Sequence, residues 1–174
     1  MLGLNKDIAK LVPYDETWPL EFKKEKKILK EVLKDYALDI QHVGSTSIPT
    51  LSAKPILDVA VAVKDIETLS ELIPILTNAG YDVKDSIEDF GEVLARKGPP
   101  ECRTHYIHVE VLGSEYWNNH ILFRDYLIKH PEYIKKYEEM KKEVSSEYTD
   151  RKEYTKHKNE FIKEVIELAK REFE

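Results

Sequence analysis

The chain has 174 residues, 41% of them hydrophobic and 34% charged, with a formal net charge of −6 at pH 7. This length suffices for one domain with a substantial core. The acidic balance argues against general nucleic-acid binding, which requires a concentrated basic surface, but it leaves room for a local basic pocket. The sequence has no run of about 18 uncharged apolar residues, so we expect no membrane span.

The amino terminus and the cysteine content both indicate a cytoplasmic location. Charges begin at Lys6, and no apolar segment typical of a secretory signal is present. Cys102 is the single cysteine, which excludes an internal disulfide and suits a reducing compartment. We therefore expect a cytoplasmic protein.

Helices and strands alternate in the first two thirds of the predicted fold. Apolar periodicity predicts helices at residues 15–36, where Asp15 or Thr17 serves as N-cap, and 65–81, where Asp65 does. Alternating or continuous apolar runs between Gly and Pro signals predict the strands. The five expected strands are 37–43, 55–63, 81–84, 91–98 and 103–112.

The remaining third is predicted to be helical. Ser114 is the expected N-cap of a helix that reaches about Lys129, Pro131 starts a second helix, and Asp150 opens a third that runs close to the C-terminus. Together these elements predict an α+β fold with a mixed sheet of about five strands flanked by helices. We expect a single domain, residues 1–174, with a core at about 1–113 and a helical part at about 114–174 packed on it.

The segment "GSTS" after the first strand suggests a phosphate-binding turn. Gly44 allows close approach of the backbone, while Ser45, Thr46 and Ser47 offer hydroxyl donors. The signal is weak by itself, because such a turn is more often structural. It is not a Walker A loop, since no Gly-Lys-Ser/Thr follows at the required spacing.

Asp58 is a lone carboxylate in the apolar strand "PILDVAVAV". Alternation places it on one face with Ala60 and Ala62, which leaves space for a ligand or for a closely packed helix. A buried, ionised Asp requires a partner, so both a structural ion pair and a metal or catalytic role stay open. The cationic candidates in the chain include Lys54, Arg96, Arg103 and Arg124.

The strand "THYIHVEV" offers a second group of polar side chains. Tyr106, His108 and Glu110 share a face, and an imidazole and a carboxylate two residues apart can reach one cation. The alternative is that this face is simply the solvent side of an edge strand. His-x-Glu by itself is not a specific metal signature.

Four segments in this order resemble the GrpB family, and the resemblance extends over most of the chain, from about residue 8 to 168. They are "HVGSTSIPTLSAKPILDVAVAV", "RTHYIHVEVLGSEYW", "FRDYLIKHPE" and "YTKHKNEFI". The resemblance implies a fold of the nucleotidyltransferase superfamily, similar to the catalytic core of DNA polymerase beta. It also implies that related domains occur fused to dephospho-CoA kinase in some bacteria.

The resemblance assigns roles to several residues. Gly44 and Ser45 match the turn that contacts nucleotide phosphate, Asp58 matches the first metal-binding carboxylate, and Glu110 stands in a suitable place for the third. The expected cofactor is Mg²⁺ or Mn²⁺, because in-line nucleotidyl transfer uses divalent ions held by adjacent carboxylates. The second carboxylate is replaced by Ala60, a departure that weakens the case for two-metal catalysis.

Three functions follow as hypotheses. The first is metal-dependent transfer of a nucleotidyl group to an unknown small acceptor, with Asp58 and Glu110 as catalytic residues. The second is a non-catalytic module that binds a nucleotide or another phosphorylated ligand, which Ala60 favours. The third is metal-dependent phosphoester hydrolysis. The expected site residues are, for metal, Asp58, His108 and Glu110, and for phosphate, Gly44, Ser45, Thr46, Lys54 and Arg103.

The helical part supplies basic and aromatic residues that fit the acceptor side of a cleft. Core packing is the favoured alternative for the aromatic side chains. The residues concerned are Arg124, Tyr126, Tyr133, Tyr137, Tyr154 and Lys158.

Overall fold

Five strands and six helices form the part of the chain that the computed structural model describes, residues 1–5, 10–147 and 151–173, without the side chains of 143–147 and 151–155. The strands are β1 (Asp39–Val43), β2 (Leu57–Val63), β3 (Asp82–Ser86), β4 (Glu92–Lys97) and β5 (His105–Val111). The helices are α1 (Trp18–Leu33), α2 (Ile66–Asn78), α3 (Ile87–Phe90), α4 (Glu115–Lys129), α5 (Pro131–Glu147) and α6 (Arg151–Phe173). The predicted α+β class is confirmed.

The sheet is mixed, with strand order β1-β2-β5-β4-β3. The central pair β2 and β5 is parallel, and the other pairs are antiparallel. In this register Asp58 lies opposite Val43 on one side and Tyr106 on the other, while Ala60 lies opposite His108. The start of β2 therefore meets the end of β1 and the start of β5 at one end of the sheet.

Local capping explains where two of the helices begin. The Asp65 carboxylate accepts a hydrogen bond from the Thr68 amide, and the Ser114 hydroxyl accepts one from the Trp117 amide. Both predicted caps are confirmed. Pro74 lies inside α2 without ending it, and the predicted cap Asp150 lies outside the described residues.

One face of the sheet carries the larger core. The β-branched residues of β2, together with Ile107 and Val109 of β5, pack against leucines of α1 and α2. Fully burying such side chains stabilises the fold by about 1.5–3 kcal/mol each before the entropic cost of ordering the chain. The leucines in this cluster are Leu29, Leu33, Leu69, Leu72 and Leu76.

On the opposite face, helix α4 lies directly over the alanines of β2. Trp117 and Ile121 pack against Ala60 and Ala62, and Trp117 is only 6% exposed. The space above these small residues, for which the sequence allowed a ligand or a helix, is therefore occupied by an indole ring.

A separate hydrophobic cluster joins α4, α5 and α6 to the segment that follows β1. Ile48 and Leu51 pack there with Leu127, Tyr137 and Val165. The boundary at about residue 113 stays a prediction, but α4 contacts both the sheet and the other two helices. None of the described helices combines the length and apolar character needed to cross a membrane.

The close packing at Ala60 predicts that restoring a carboxylate there is destabilising. Ala60 is fully buried beneath Trp117, so the Ala60→Asp side chain would be desolvated and would displace the indole. We expect a loss of about 3 kcal/mol or more in the free energy of unfolding, measured by urea denaturation. The exposed control Ala79→Asp should change it by less than about 1 kcal/mol; equal losses would contradict the packing explanation.

Candidate functional site

The turn after β1 lies directly against the carboxylate of Asp58. Gly44 has φ 67° and ψ −172°, a backbone conformation that is essentially restricted to glycine. A Cβ atom at this position would lie 2.5 Å from Asp58 Oδ2, so a side chain is excluded by contact as well. We refer to Gly44–Ser47 as the glycine turn.

Two cavities meet around Asp58 and the glycine turn. The large cavity, about 490 Å³, extends between the sheet and helices α4 and α6, and the small cavity, about 230 Å³, extends toward α5. The residues that line both are Ser45, Asp58, Tyr137 and Lys158. His108, Asn119 and His120 line the large cavity alone, and Thr46, Lys54 and Lys141 line the small one alone.

The partner of Asp58 is His108. Three of the cations considered from the sequence, Arg96, Arg103 and Arg124, donate hydrogen bonds to other residues. The His108 Nε2 atom lies 3.6 Å from Asp58 Oδ1, while Nδ1 lies 2.9 Å from Glu92 Oε2. Burial acts to lower the pKa of His108, but the hydrogen bond to Glu92 and the close negative charges of Asp58 and Glu92 outweigh it and raise this pKa to about 10. Without a metal ion, His108 is therefore an imidazolium held between two carboxylates.

The pKa values of the two carboxyl groups respond in the opposite direction. Burial acts to raise the pKa of Asp58 and of Glu92, but the hydrogen bond and positive charge of His108 outweigh it, so both lie below their ordinary values. The Asp58 side chain remains 32% exposed toward the cavities. It is therefore an ionised group in contact with the space that a ligand would occupy.

Glu110 faces a second histidine rather than Asp58. Its side chain is fully buried, and His120 Nε2 lies 3.2 Å from its Oε1 atom. In the register of the sheet Glu110 lies opposite Ala62, four residues beyond Asp58, which separates the two backbone positions by roughly 13 Å along the strands. The predicted set of Asp58, His108 and Glu110 is thus not gathered around one point.

A different trio has the geometry of a metal site. One potential ligand atom each from His108, Glu110 and His120 lies within 4.8 Å of the others. The rings of His108 and His120 are neighbours, with centroids 5.0 Å apart. Whether Asp58 and Glu110 act in catalysis stays a prediction.

The predicted phosphate-binding residues separate into two groups. Gly44, Ser45 and Lys54 line one or both cavities. Thr46 also reaches the small cavity, but it is buried and its hydroxyl is 3.0 Å from His42 Nε2, which ties it to the fold. The Ser47 hydroxyl donates to the Gly44 carbonyl and closes the turn.

Arg103 does not belong to the site. Its guanidinium donates to the Gly98 carbonyl and to Asp82 on the far edge strand β3, and it lines neither cavity. The side chain is 5% exposed and is therefore committed to joining β3 with the loop before β5. This position is a correction of the prediction that Arg103 offsets phosphate charge.

Three residues near the site were not identified from the sequence. His120 could have been found from helical periodicity, since it shares a face of α4 with Trp117. Glu92 reaches His108 only through the pairing of β4 with β5, which strand patterns do not reveal. Lys141 is 2% exposed, donates to the Ser52 carbonyl, and has a pKa that burial lowers to about 7.

The aromatic and basic residues of the helical part divide between the cavity and the core. Tyr137 and Lys158 line both cavities. Tyr126 and Tyr133 pack edge to face with ring centroids 5.3 Å apart, as core residues do. Arg124 donates to the Gln41 side chain and the His42 carbonyl, whereas the side chain of Tyr154 lies outside the described residues.

Comparison with known sequences and structures relates this architecture to one family. The family described as "GrpB protein" matches residues 8–168. The chain belongs to the GrpB family. A crystal structure of conserved protein GrpB from Enterococcus faecalis has a TM-score of 0.84 with it, at 32% identity, over 95% of this chain and all of that one.

Curated relatives of this GrpB-family protein match over most of its length. Glutamate-rich protein GrpB of Alkalihalophilus pseudofirmus is 38% identical over 95% of this chain and 98% of its own. The UPF0157 protein YqkA of Bacillus subtilis is 37% identical over 94% of this chain but 48% of its own. A dephospho-CoA kinase of Mycobacterium bovis is 36% identical over 42% of this chain, consistent with the expected fusion to that enzyme.

Replacing Gly44 with alanine should destabilise the fold more than the same replacement at a glycine that has open space around it. Both the conformation at Gly44 and the 2.5 Å contact with Asp58 exclude a Cβ atom, so we expect Gly44→Ala to lower the free energy of unfolding by about 2–4 kcal/mol. The control Gly91→Ala has a similar φ of 64° but open space around the new Cβ, and we expect a cost of about 1 kcal/mol. Chemical denaturation of both variants measures the difference, and equal costs would refute the contact.

The buried side chain of His42 should make the stability of the fold depend on pH in the acid range. Burial lowers the pKa of His42 from 6.5 to about 4. Between these pH values His42 is protonated in the unfolded chain but stays neutral in the folded one. The stability that this neutral imidazole contributes is complete above pH 6.5 and is lost as the pH falls to about 4. Between pH 6.5 and about 4, the free energy of unfolding of the wild type should fall by about 2 kcal/mol more than that of His42→Gln. Equal decreases in the two proteins would contradict this.

Proposed function

We propose that this GrpB-family protein binds a nucleoside triphosphate at the glycine turn and transfers its nucleotidyl group to a small acceptor. The observation that supports the proposal best is the contact between Asp58 and Gly44 at the place where the two cavities meet. An ionised carboxylate, a turn whose first residue has no side chain, and cationic residues from the helices converge there. Each is needed to hold a phosphate chain and its cation.

The small cavity suits the phosphate chain. Ser45 lines both cavities and offers a hydroxyl donor. Gly44 borders the large cavity where the two meet, and because it has no side chain a phosphate oxygen can approach its backbone closely. Lys54, Lys141 and Lys158 line this cavity. The ammonium groups of Lys54 and Lys158 would offset the negative charge of the phosphates, and a bound phosphate would favour protonation of Lys141, whose pKa burial lowers to about 7.

The large cavity suits the sugar and base, or the acceptor. Its volume of about 490 Å³ lies in the range of small-molecule sites. Within the described part of the chain, the Tyr137 hydroxyl and the Asn119 carbonyl oxygen are buried without a hydrogen-bond partner. Buried polar atoms normally have partners, so a polar ligand in this cavity would satisfy both.

The donors at Asp58 fit a divalent cation that arrives with the nucleotide. Mg²⁺ or Mn²⁺ is commonly held by one or two carboxylates together with substrate phosphates, and Asp58 is the ionised carboxylate that faces the shared space. When bound, such a cation would neutralise negative charge on the α-phosphate of the transferred nucleotidyl group. Glu92 and His108 hold Asp58 in place by the chain of contacts already described.

In the transfer step, a hydroxyl oxygen of the acceptor forms a bond to the α-phosphorus. The bond from that phosphorus to the bridging oxygen of the β-phosphate breaks, and pyrophosphate leaves with the electron pair. The acceptor proton passes to water. The role of this chain is to align the phosphates on the glycine turn and to stabilise the departing pyrophosphate with Lys54 and Lys158.

A second candidate function is nucleotide binding without chemistry. It is favoured by Ala60, which replaces the second carboxylate of the superfamily pattern and is buried beneath Trp117. The two candidates agree on ligand and site, and they differ only in turnover. Formation of pyrophosphate supports the transferase, whereas tight binding with no product supports the module. Phosphoester cleavage without any nucleotide would instead indicate a hydrolase.

Asp58→Asn should abolish cation-dependent nucleotide binding while leaving the protein folded. Calorimetry with ATP and Mn²⁺ should show at least a roughly hundredfold weaker affinity, because the amide cannot replace the charge of the carboxylate. Pyrophosphate release in a screen of acceptors should fall in parallel. Asp89→Asn, an exposed site with the same change of charge, is the control and should match the wild type; unchanged binding in Asp58→Asn would refute the site.

A further inference from the structure

The buried carboxylate of Glu110 lacks the partners that such a group requires. It is fully buried, and within the described part of the chain neither of its oxygens accepts a hydrogen bond, even though His120 Nε2 is 3.2 Å from one of them. Burying a carboxylate without hydrogen bonds is strongly unfavourable. A cation between Glu110 and the neighbouring imidazoles would remove this cost.

The surrounding side chains are arranged as metal ligands. His108 and Glu110 lie two residues apart on one face of β5, and His120 approaches from α4, so that one ligand atom of each lies within 4.8 Å of the others. Ligand atoms around a tetrahedral ion with bonds of 2.0–2.1 Å are roughly 3.4 Å apart. Small side-chain rotations would therefore complete the coordination.

The contact beyond His108 also matches that of a metal-binding histidine. Its Nδ1 atom is 2.9 Å from Glu92 Oε2, which leaves Nε2, 3.6 Å from Asp58 Oδ1 in the absence of a metal, as the ring nitrogen that can bind one. A carboxylate on the far nitrogen is the usual means of orienting a histidine ligand and raising its basicity. The large cavity borders both histidines and provides room for a water or ligand oxygen in an open coordination position.

We propose that His108, Glu110 and His120 bind one transition-metal ion, of the type that two imidazoles and one carboxylate favour, such as Zn²⁺ or Fe²⁺. This ion is distinct from the Mg²⁺ or Mn²⁺ that accompanies a nucleotide at Asp58, and its binding does not rest on the proposed function. Its position beside Asp58 places a Lewis acid at the wall of the large cavity.

Metal binding by the full-length protein tests the proposal in the absence of nucleotide. After treatment with a chelator and dialysis, the wild type should bind one equivalent of Zn²⁺, and Zn²⁺ should raise its Tm by several degrees. Co²⁺ should give the visible absorption bands of a low-symmetry, four- or five-coordinate site. His120→Ala should weaken Zn²⁺ binding at least a hundredfold and remove the rise in Tm.

Two further variants separate a ligand role from a structural one. His130→Ala is the matched control, because His130 is 25% exposed compared with 28% for His120 and also contacts a carboxylate. It should retain Zn²⁺ affinity within about threefold. Glu110→Gln preserves the shape of the buried side chain, so it should stay folded and yet lose the metal.

The proposal is overturned if the wild type binds no more Zn²⁺ than His120→Ala, or if His130→Ala loses binding to the same extent. Zn²⁺ binding is measured without nucleotide, and nucleotide binding with Mn²⁺ is measured without Zn²⁺. A wild type that binds zinc but no nucleotide, or the reverse, therefore shows which of the two proposals has failed.

Discussion

The packing of Trp117 on Ala60 and Ala62 is the contact on which the arrangement of the site depends. It fixes α4 above the central strands and therefore determines where the other side chains of that helix lie. His120, one turn beyond Trp117, is brought to Glu110, and Asn119 is brought to the wall of the large cavity. A larger residue at either alanine would lift the helix and separate the groups that it aligns.

The second constraint is electrostatic. The start of β2, the middle of β5 and the start of β4 place Asp58, His108 and Glu92 in one line, and the positive charge of His108 keeps both carboxylates ionised despite their burial. His108 stabilises the charge of Asp58 when no other cation is bound, and so helps to keep the carboxylate available for one. Because Asp58, His108 and Glu92 depend on one another, replacing His108 would change both the stability of the fold and the properties of the site.

Structural features that depend on residues close together in the sequence were predicted correctly. The caps at Asp65 and Ser114 bind amides three residues away, and the order of strands and helices follows from apolar periodicity. The pairing of Gly44 with Asp58 was expected from the resemblance to a family pattern, and the two groups do lie in contact. Predictions that depended on how the strands pair in the sheet were less successful. Glu110 was grouped with Asp58 because the resemblance places a third carboxylate on an adjacent strand, yet the pairing of β2 with β5 sets their backbone positions four residues apart. Arg103 was expected to offset phosphate charge, although its guanidinium donates to Asp82.

The sequence by itself determined the α+β class, the main helices and strands, the membership of residues in each strand face, and the glycine turn after the first strand. These properties depend on the local periodicities of 3.6 and 2 and on the conformational freedom of glycine. The tertiary structure alone decided that an indole fills the space over Ala60, that Glu92 orients His108, and that His120 faces Glu110. Those contacts join elements that are distant along the chain. They are created by the strand order and the placement of the helices, and both of these follow from the packing of the whole chain.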